Sequence, residues 1–173
     1  MGLFIRIIMK YLEKILFYGL IITLLTPLII SEGLIFPFIT TKAYFFYTIV
    51  DILLIIYLVL LSEKPLYPRK SKILYFFLGI TILSFVLDIF GLNFKNSFWG
   101  NYERMMGIFT SLHLLIYLWL LLSVFNTKEK FYRLLNYSLI VSFLLNIYAL
   151  LQKFDVKFFG MVNIENSRIF ATL

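Results

Sequence analysis

Long apolar runs, broken by short polar gaps, constrain this chain more than any motif does. Five such runs cover residues 15–30, 43–61, 73–92, 106–125 and 134–151. A bilayer core needs about 20 apolar residues per spanning helix, and all five meet or approach that length. In hydrocarbon every backbone N–H and C=O must be paired within the segment, so each run is expected to be a helix. A barrel would instead show alternating strands of roughly ten residues, which continuous runs do not.

Composition agrees. The 173 residues are 62% hydrophobic and 14% charged, and their mean hydropathy is +0.95. An ordinary soluble domain is about 45–50% apolar and about 25% charged. The expected fold is therefore an all-α membrane protein, a single polytopic bundle of about five transmembrane helices. Arg6, Lys10 and Lys14 precede the first run as the basic region of a signal peptide would. The residues after that run, Ile29, Ile30, Ser31 and Glu32, offer no small-x-small cleavage site, and further runs follow, so the segment is read as retained. Pro27 should bend this first helix near its end.

Basic residues orient the bundle. Arg6, Lys10, Lys14, Lys64, Arg69, Lys70, Lys72, Lys128, Lys130 and Arg133 lie at one end; Lys42, Lys95, Arg104, Lys153, Lys157 and Arg168 lie at the other. Lysine and arginine are retained preferentially on the cytoplasmic side. Ten against six predicts a cytoplasmic N-terminus and a C-terminus outside. The net charge of +7 then reflects topology and attraction to anionic lipid. No basic, aromatic-interleaved patch suggests a nucleic-acid partner. Cysteine is absent, and a single histidine cannot build a multi-histidine metal site. No phosphate-cradling glycine loop appears either, so no metal or cofactor is expected. Nothing in the residues specifies an oligomeric state. Lys64-Pro65-Leu66-Tyr67-Pro68-Arg69-Lys70 reads as a short cytoplasmic turn, its prolines keeping two helices from fusing.

Against this background the polar residues in or near the runs stand out. Asp51 lies eight residues into the second run, about 12 Å deep. Asp88 is four residues before the end of the third run, His113 seven into the fourth, and Asn146 five before the end of the fifth. Ionisable groups at such depths should face the bundle or water. Asp51 reads as an interhelical contact and His113 as a packing histidine. If the fourth helix already includes Tyr102, His113 falls on the face opposite Arg104. Asp88 and Arg104 can neutralise each other across a short outer loop, or Arg104 can hold a ligand.

The segment Ser97-Phe98-Trp99-Gly100-Asn101-Tyr102-Glu103-Arg104-Met105-Met106-Gly107 fills the polar gap before the fourth run. It resembles the S-F-W-x-N-Y-E-R-x-x-G segment of bacterial O-antigen ligases and the related polymerases of lipid-linked polysaccharide. Phe36-Pro37-Phe38-Ile39-Thr40-Thr41-Lys42-Ala43 is similar to the family's P-F-I-T-x-K-A, and Asp51 stands where many relatives place a glutamate. Ser167-Arg168-Ile169-Phe170-Ala171-Thr172 resembles the start of its R-x-x-G-T-x-G-N-P segment, with Ala171 at the usual glycine. The resemblance implies a multi-pass inner-membrane protein that takes its glycan from an undecaprenyl-pyrophosphate carrier for cell-surface polysaccharide assembly. Relatives have about a dozen spans, and their presumed catalytic histidine lies in a late outer loop. The resemblance therefore implies an N-terminal fragment, inactive alone, in which His113 inherits no catalytic role. Arg104 and Arg168 match basic positions suited to a pyrophosphate, because arginine's planar fork donates bidentate hydrogen bonds and stays charged. Asp88, Glu103 and Asn101 would support them. The alternative is a non-catalytic small multi-pass protein or a transporter fragment, the latter favoured by inverted symmetry among spans and matched broken helices. Gly79 and Pro27 do not form such a matched pair.

Overall fold

A computed structural model describes residues 2–29, 39–63, 65–101 and 105–153. Every regular element among them is helical: α1 (Gly2–Ile22), a 3-10 segment (Thr23–Leu28), α2 (Thr40–Glu63), α3 (Lys72–Ile89), α4 (Phe94–Trp99), α5 (Ile108–Val124) and α6 (Lys128–Lys153). Three helices, Thr40–Glu63, Lys72–Ile89 and Lys128–Leu151, are long and apolar enough to cross a membrane. The fourth apolar helix, α5, has 17 residues, about 25 Å at 1.5 Å per residue and a little short of a bilayer core.

The first helix departs most from expectation. It begins at Gly2 and includes the basic residues, because a charged, amphipathic stretch can be helical without being apolar enough for a span. The α-helical geometry stops at Ile22 for a local reason. Pro27 has no N–H to give the Thr23 carbonyl, and its ring crowds that position. The chain tightens to 3-10 geometry, and the Thr26 hydroxyl donates to the Thr23 carbonyl instead, at 2.6 Å. Likewise α6 starts at Lys128 rather than 134, its first turn running through the charged residues.

The core is shared by α1, α2 and α5, where Leu16, Leu20, Leu53, Tyr57, Leu60, Leu120, Val124 and Phe125 are buried. A Cβ on Gly19 would collide with the Leu53 side chain, so this small residue lets α1 and α2 approach closely, as small residues do between membrane helices. The α3 helix packs on α5 and α4, and α6 on α1 and the 3-10 segment. Both outer helices leave most of their apolar surface uncovered; Phe76 of α3 is exposed, as is Phe143 of α6. Such surface suits lipid rather than water.

At the basic end, the Arg69 N–H donates to the Leu122 carbonyl at 3.2 Å, and Tyr57 donates its phenolic hydrogen to the Leu66 carbonyl at 2.6 Å. These bonds pin the proline-containing connector onto α2 and α5.

Candidate functional site

The gap between α3 and α5 is folded rather than merely polar. Asn93 caps α4, its side-chain oxygen accepting the Asn96 N–H at 3.2 Å. The six residues of the short helix end at Trp99, directly before Gly100, whose φ of 75° and ψ of 178° suit a residue without a Cβ. The chain then doubles back on itself. A Cβ on Gly100 would lie 2.6 Å from the Gly107 nitrogen, and one on Gly107 would strike the Phe98 carbonyl. Two glycines seven residues apart therefore form a backbone-to-backbone crossing that larger residues would block. The Asn101 carbonyl accepts the Met105 N–H at 2.7 Å, and Met105 has a left-handed φ of 51°.

This crossing seats α4 against the start of α5. The Trp99 and Phe109 ring centroids lie 5.0 Å apart, and Tyr47 of α2 meets Phe109 edge-on at 5.1 Å. The Tyr47 hydroxyl is 2.5 Å from the Thr110 hydroxyl, which in turn donates to the Met105 carbonyl. A cavity of about 280 Å³ opens here, walled by Tyr44, Tyr47, Trp99, Met105 and Phe109, with Lys95 beside it.

Directly behind the aromatic wall sits His113, buried, its ring 4.7 Å from that of Tyr47 and 4.3 Å from that of Phe109. Its Nδ1 is 2.7 Å from the Phe109 carbonyl and its Nε2 is 3.2 Å from Asp51 Oδ1. A carbonyl only accepts, so the geometry assigns Nδ1 as a donor. Nε2 and Oδ1 then face each other across one proton, whichever atom carries it. Asp51 keeps its carboxylate 58% exposed at the edge of the bundle. An ionisable pair at this depth marks a functional position more often than a lipid-facing one.

The residues expected from the sequence are distributed unevenly. Glu103, Arg104 and Arg168 lie outside the described residues. The Asn101 carbonyl accepts the Met105 N–H at 2.7 Å. Asp88 lies half-buried in the last full turn of α3. One expectation fails on its premise: α5 begins at Ile108, so Tyr102 is not on that helix and the angular opposition of Arg104 and His113 has no basis. The reading of Asp51 as an interhelical contact and of His113 as a packed histidine fits, but their pairing with each other was missed. The available signal was depth. The two lie eight and seven residues into the second and fourth runs, which start from the same inferred end and so run parallel. Tyr47, Lys95 and Thr110 were also missed, since nothing local distinguishes them from other interfacial residues.

Among the described residues no cluster of three or more histidines, cysteines or carboxylates could hold a metal ion. Comparison with protein-family profiles, with curated proteins and with solved structures finds no match to this chain.

Proposed function

We propose that this chain is the N-terminal part of an O-antigen ligase-like, multi-pass inner-membrane glycosyltransferase acting on undecaprenyl-pyrophosphate-linked glycans. In this reading α1 with its 3-10 extension, α2, α3, α5 and α6 are five spans, with the N-terminus cytoplasmic and the C-terminus outside. The carrier pyrophosphate would sit at the mouth of the cavity beside Lys95, and the resemblance assigns its binding to Arg104 and Arg168. Asn101, Glu103 and Asp88 support that arrangement. The first sugar stacks on the aromatic wall.

One observation carries the proposal: the motif-bearing segment that resembles the family is the segment whose Trp99, Gly100 and Met105 line the cavity with Lys95. An aromatic-walled opening beside a lysine suits an amphiphile with a charged pyrophosphate and a sugar face.

The test is a titration of the purified chain in detergent with undecaprenyl pyrophosphate, followed by tryptophan fluorescence. Arg104→Gln should weaken binding roughly tenfold or more, since a charged hydrogen bond contributes about 1.5–3 kcal/mol. Arg104→Lys should also weaken it, because the bidentate fork is lost. Equal affinity for undecaprenol, or full recovery of binding in Arg104→Leu combined with Asp88→Leu, would reduce Arg104 to a neutralising partner.

The His113–Asp51 pair favours a second reading, a transporter fragment, because intramembrane carboxylate–histidine pairs serve proton relays. Proton flux into vesicles containing the chain, abolished by Asp51→Asn, would support that reading over the first.

A further inference from the structure

The opposite end of the molecule holds a larger cleft, of about 590 Å³, between α1, the α2–α3 connector and the junction of α5 with α6. Its walls are basic and come from two separate helices. Lys10 and Lys14 stand on α1; Lys130 and Arg133 stand on the first turns of α6. Glu13 also lines the cleft, leaving three positive charges in excess. The floor is apolar and rigid: Leu16 and Val124 belong to the buried core, and Phe17 beside them stacks on Phe125 at 4.9 Å. Tyr11 and Tyr18, both exposed, sit at the rim, and the Lys14 ammonium lies 5.8 Å from the Tyr11 ring.

We propose that this cleft binds the phosphate headgroup of an anionic phospholipid, with the upper acyl chain laid on the Leu16–Phe17–Val124 floor. The argument is one of matched chemistry and does not rest on the glycan reading. A soluble anion would need the charges but would leave the apolar floor wet. A neutral lipid would cover the floor but would leave the three excess positive charges without a counter-charge. An anionic lipid satisfies both, and basic pockets between helices at a membrane surface favour such headgroups. Helix α1 suits the location: its Arg6, Lys10 and Lys14 fall four residues apart along one stripe, with Ile7, Ile8 and Ile15 elsewhere around the helix, so a basic stripe at the helix end can face anionic headgroups.

The experiment is native mass spectrometry of the chain released from nanodiscs of equal parts phosphatidylglycerol and phosphatidylcholine. The unmodified chain should retain phosphatidylglycerol in preference. Lys130→Gln with Arg133→Gln should lower that retention about twenty-five-fold, at roughly fivefold per lost charge. Lys10→Gln with Lys14→Gln, on the opposite wall, should reproduce the loss, while Arg133→Lys should keep binding. A control pair of equal charge, Lys70→Gln with Lys72→Gln, lies outside the cleft and should stay within twofold. An equal fall in the control pair, equal retention of phosphatidylcholine, or displacement of the lipid by millimolar inorganic phosphate would each overturn the assignment.

Discussion

Two tyrosines of α2 anchor two polar knots against α5, and the difference between them separates scaffold from site. Tyr57, near the basic end, both donates and accepts. It donates to the Leu66 carbonyl and accepts from Trp119 Nε1 at 3.1 Å, while Ser123, whose hydrogen goes to the Trp119 carbonyl at 2.8 Å, packs its oxygen 3.5 Å away. The phenol's donor is spent and its acceptor side is occupied, so this knot is closed. Tyr47, at the other end, is equally buried but passes its bond through Thr110 to Met105. Beside it lie an open cavity, a histidine with a proton to share and a carboxylate that is mostly exposed. Polar groups inside a membrane bundle are expensive, and a saturated knot repays its desolvation by fixing helix positions. An unsaturated one persists only where something else is to be bound or moved.

The sharpest way to break this comparison is at the glycine crossing that holds the open knot in shape. Gly107→Ala puts a methyl group against the Phe98 carbonyl and the Gly100 nitrogen, backbone atoms that cannot turn aside. We expect a loss of about 2–4 kcal/mol, combining a steric clash with lost backbone bonds, and complete loss of ligand binding at the cavity. Gly79→Ala is the control. Nothing lies within 4 Å of its new Cβ, and a mid-helix glycine replaced by alanine gains about 0.5–1 kcal/mol. Thermal unfolding in detergent reads both. A Gly107→Ala protein as stable as the Gly79→Ala one would mean that the crossing is absent.

Next in size is the contrast between the tyrosines themselves. Tyr57→Phe leaves the part-buried Leu66 carbonyl without its donor and the Trp119 N–H without its acceptor. Buried groups left unpaired cost about 1–3 kcal/mol each, although membrane helices relax part of this. We expect about 2 kcal/mol, or a fall of roughly 4–8 °C in Tm for a chain of this size. Tyr47→Phe should cost less than about 1 kcal/mol, because Thr110 still donates to the Met105 carbonyl. If Tyr47→Phe proves the more damaging, the outer knot is scaffold and the cavity beside it incidental.

How much of this could be read from residues alone differs by region, for physical reasons. Hydropathy reports what must avoid water, so α2 and α3 were bounded to within a few residues. It is blind to helical turns that carry charge, and so it missed the starts of α1 at Gly2 and of α6 at Lys128. The α4 helix was invisible because six residues carry no periodicity, and its cap, Asn93, is one asparagine in a polar gap. Gly100 and Gly107 were conspicuous as part of a recognisable string, yet their reason for being glycine is a crossing of two backbones, which no local pattern encodes. The Asp51–His113 pair needed two depths to be compared across separate helices. Of the charged residues singled out for the site, Arg104, Glu103 and Arg168 lie outside the described residues, so the phosphate-binding half of the proposal rests on the string and on the cavity next to it.

The smallest expected effect tests where the shared proton lies. If Asp51 carries it and donates to Nε2, then Asp51→Asn is a near-isosteric change. The amide N–H donates to the same nitrogen, while Nδ1 keeps its bond to the Phe109 carbonyl. If instead the imidazolium is paired with a carboxylate, the asparagine leaves a buried cation without its counter-charge and destabilises the bundle markedly, even with the carboxylate partly screened by its exposure. The short contact from Nδ1 to the Phe109 carbonyl already satisfies one side of the ring, so the asparagine amide need supply only the other. We therefore expect Asp51→Asn to shift unfolding by less than about 1 kcal/mol. Nitrogen NMR of labelled His113 should then show Nε2 unprotonated and Nδ1 protonated in both proteins. A doubly protonated ring in the unmodified chain, together with marked destabilisation by Asp51→Asn, would make the pair a fixed salt bridge. The open knot would then be as closed as the one around Tyr57.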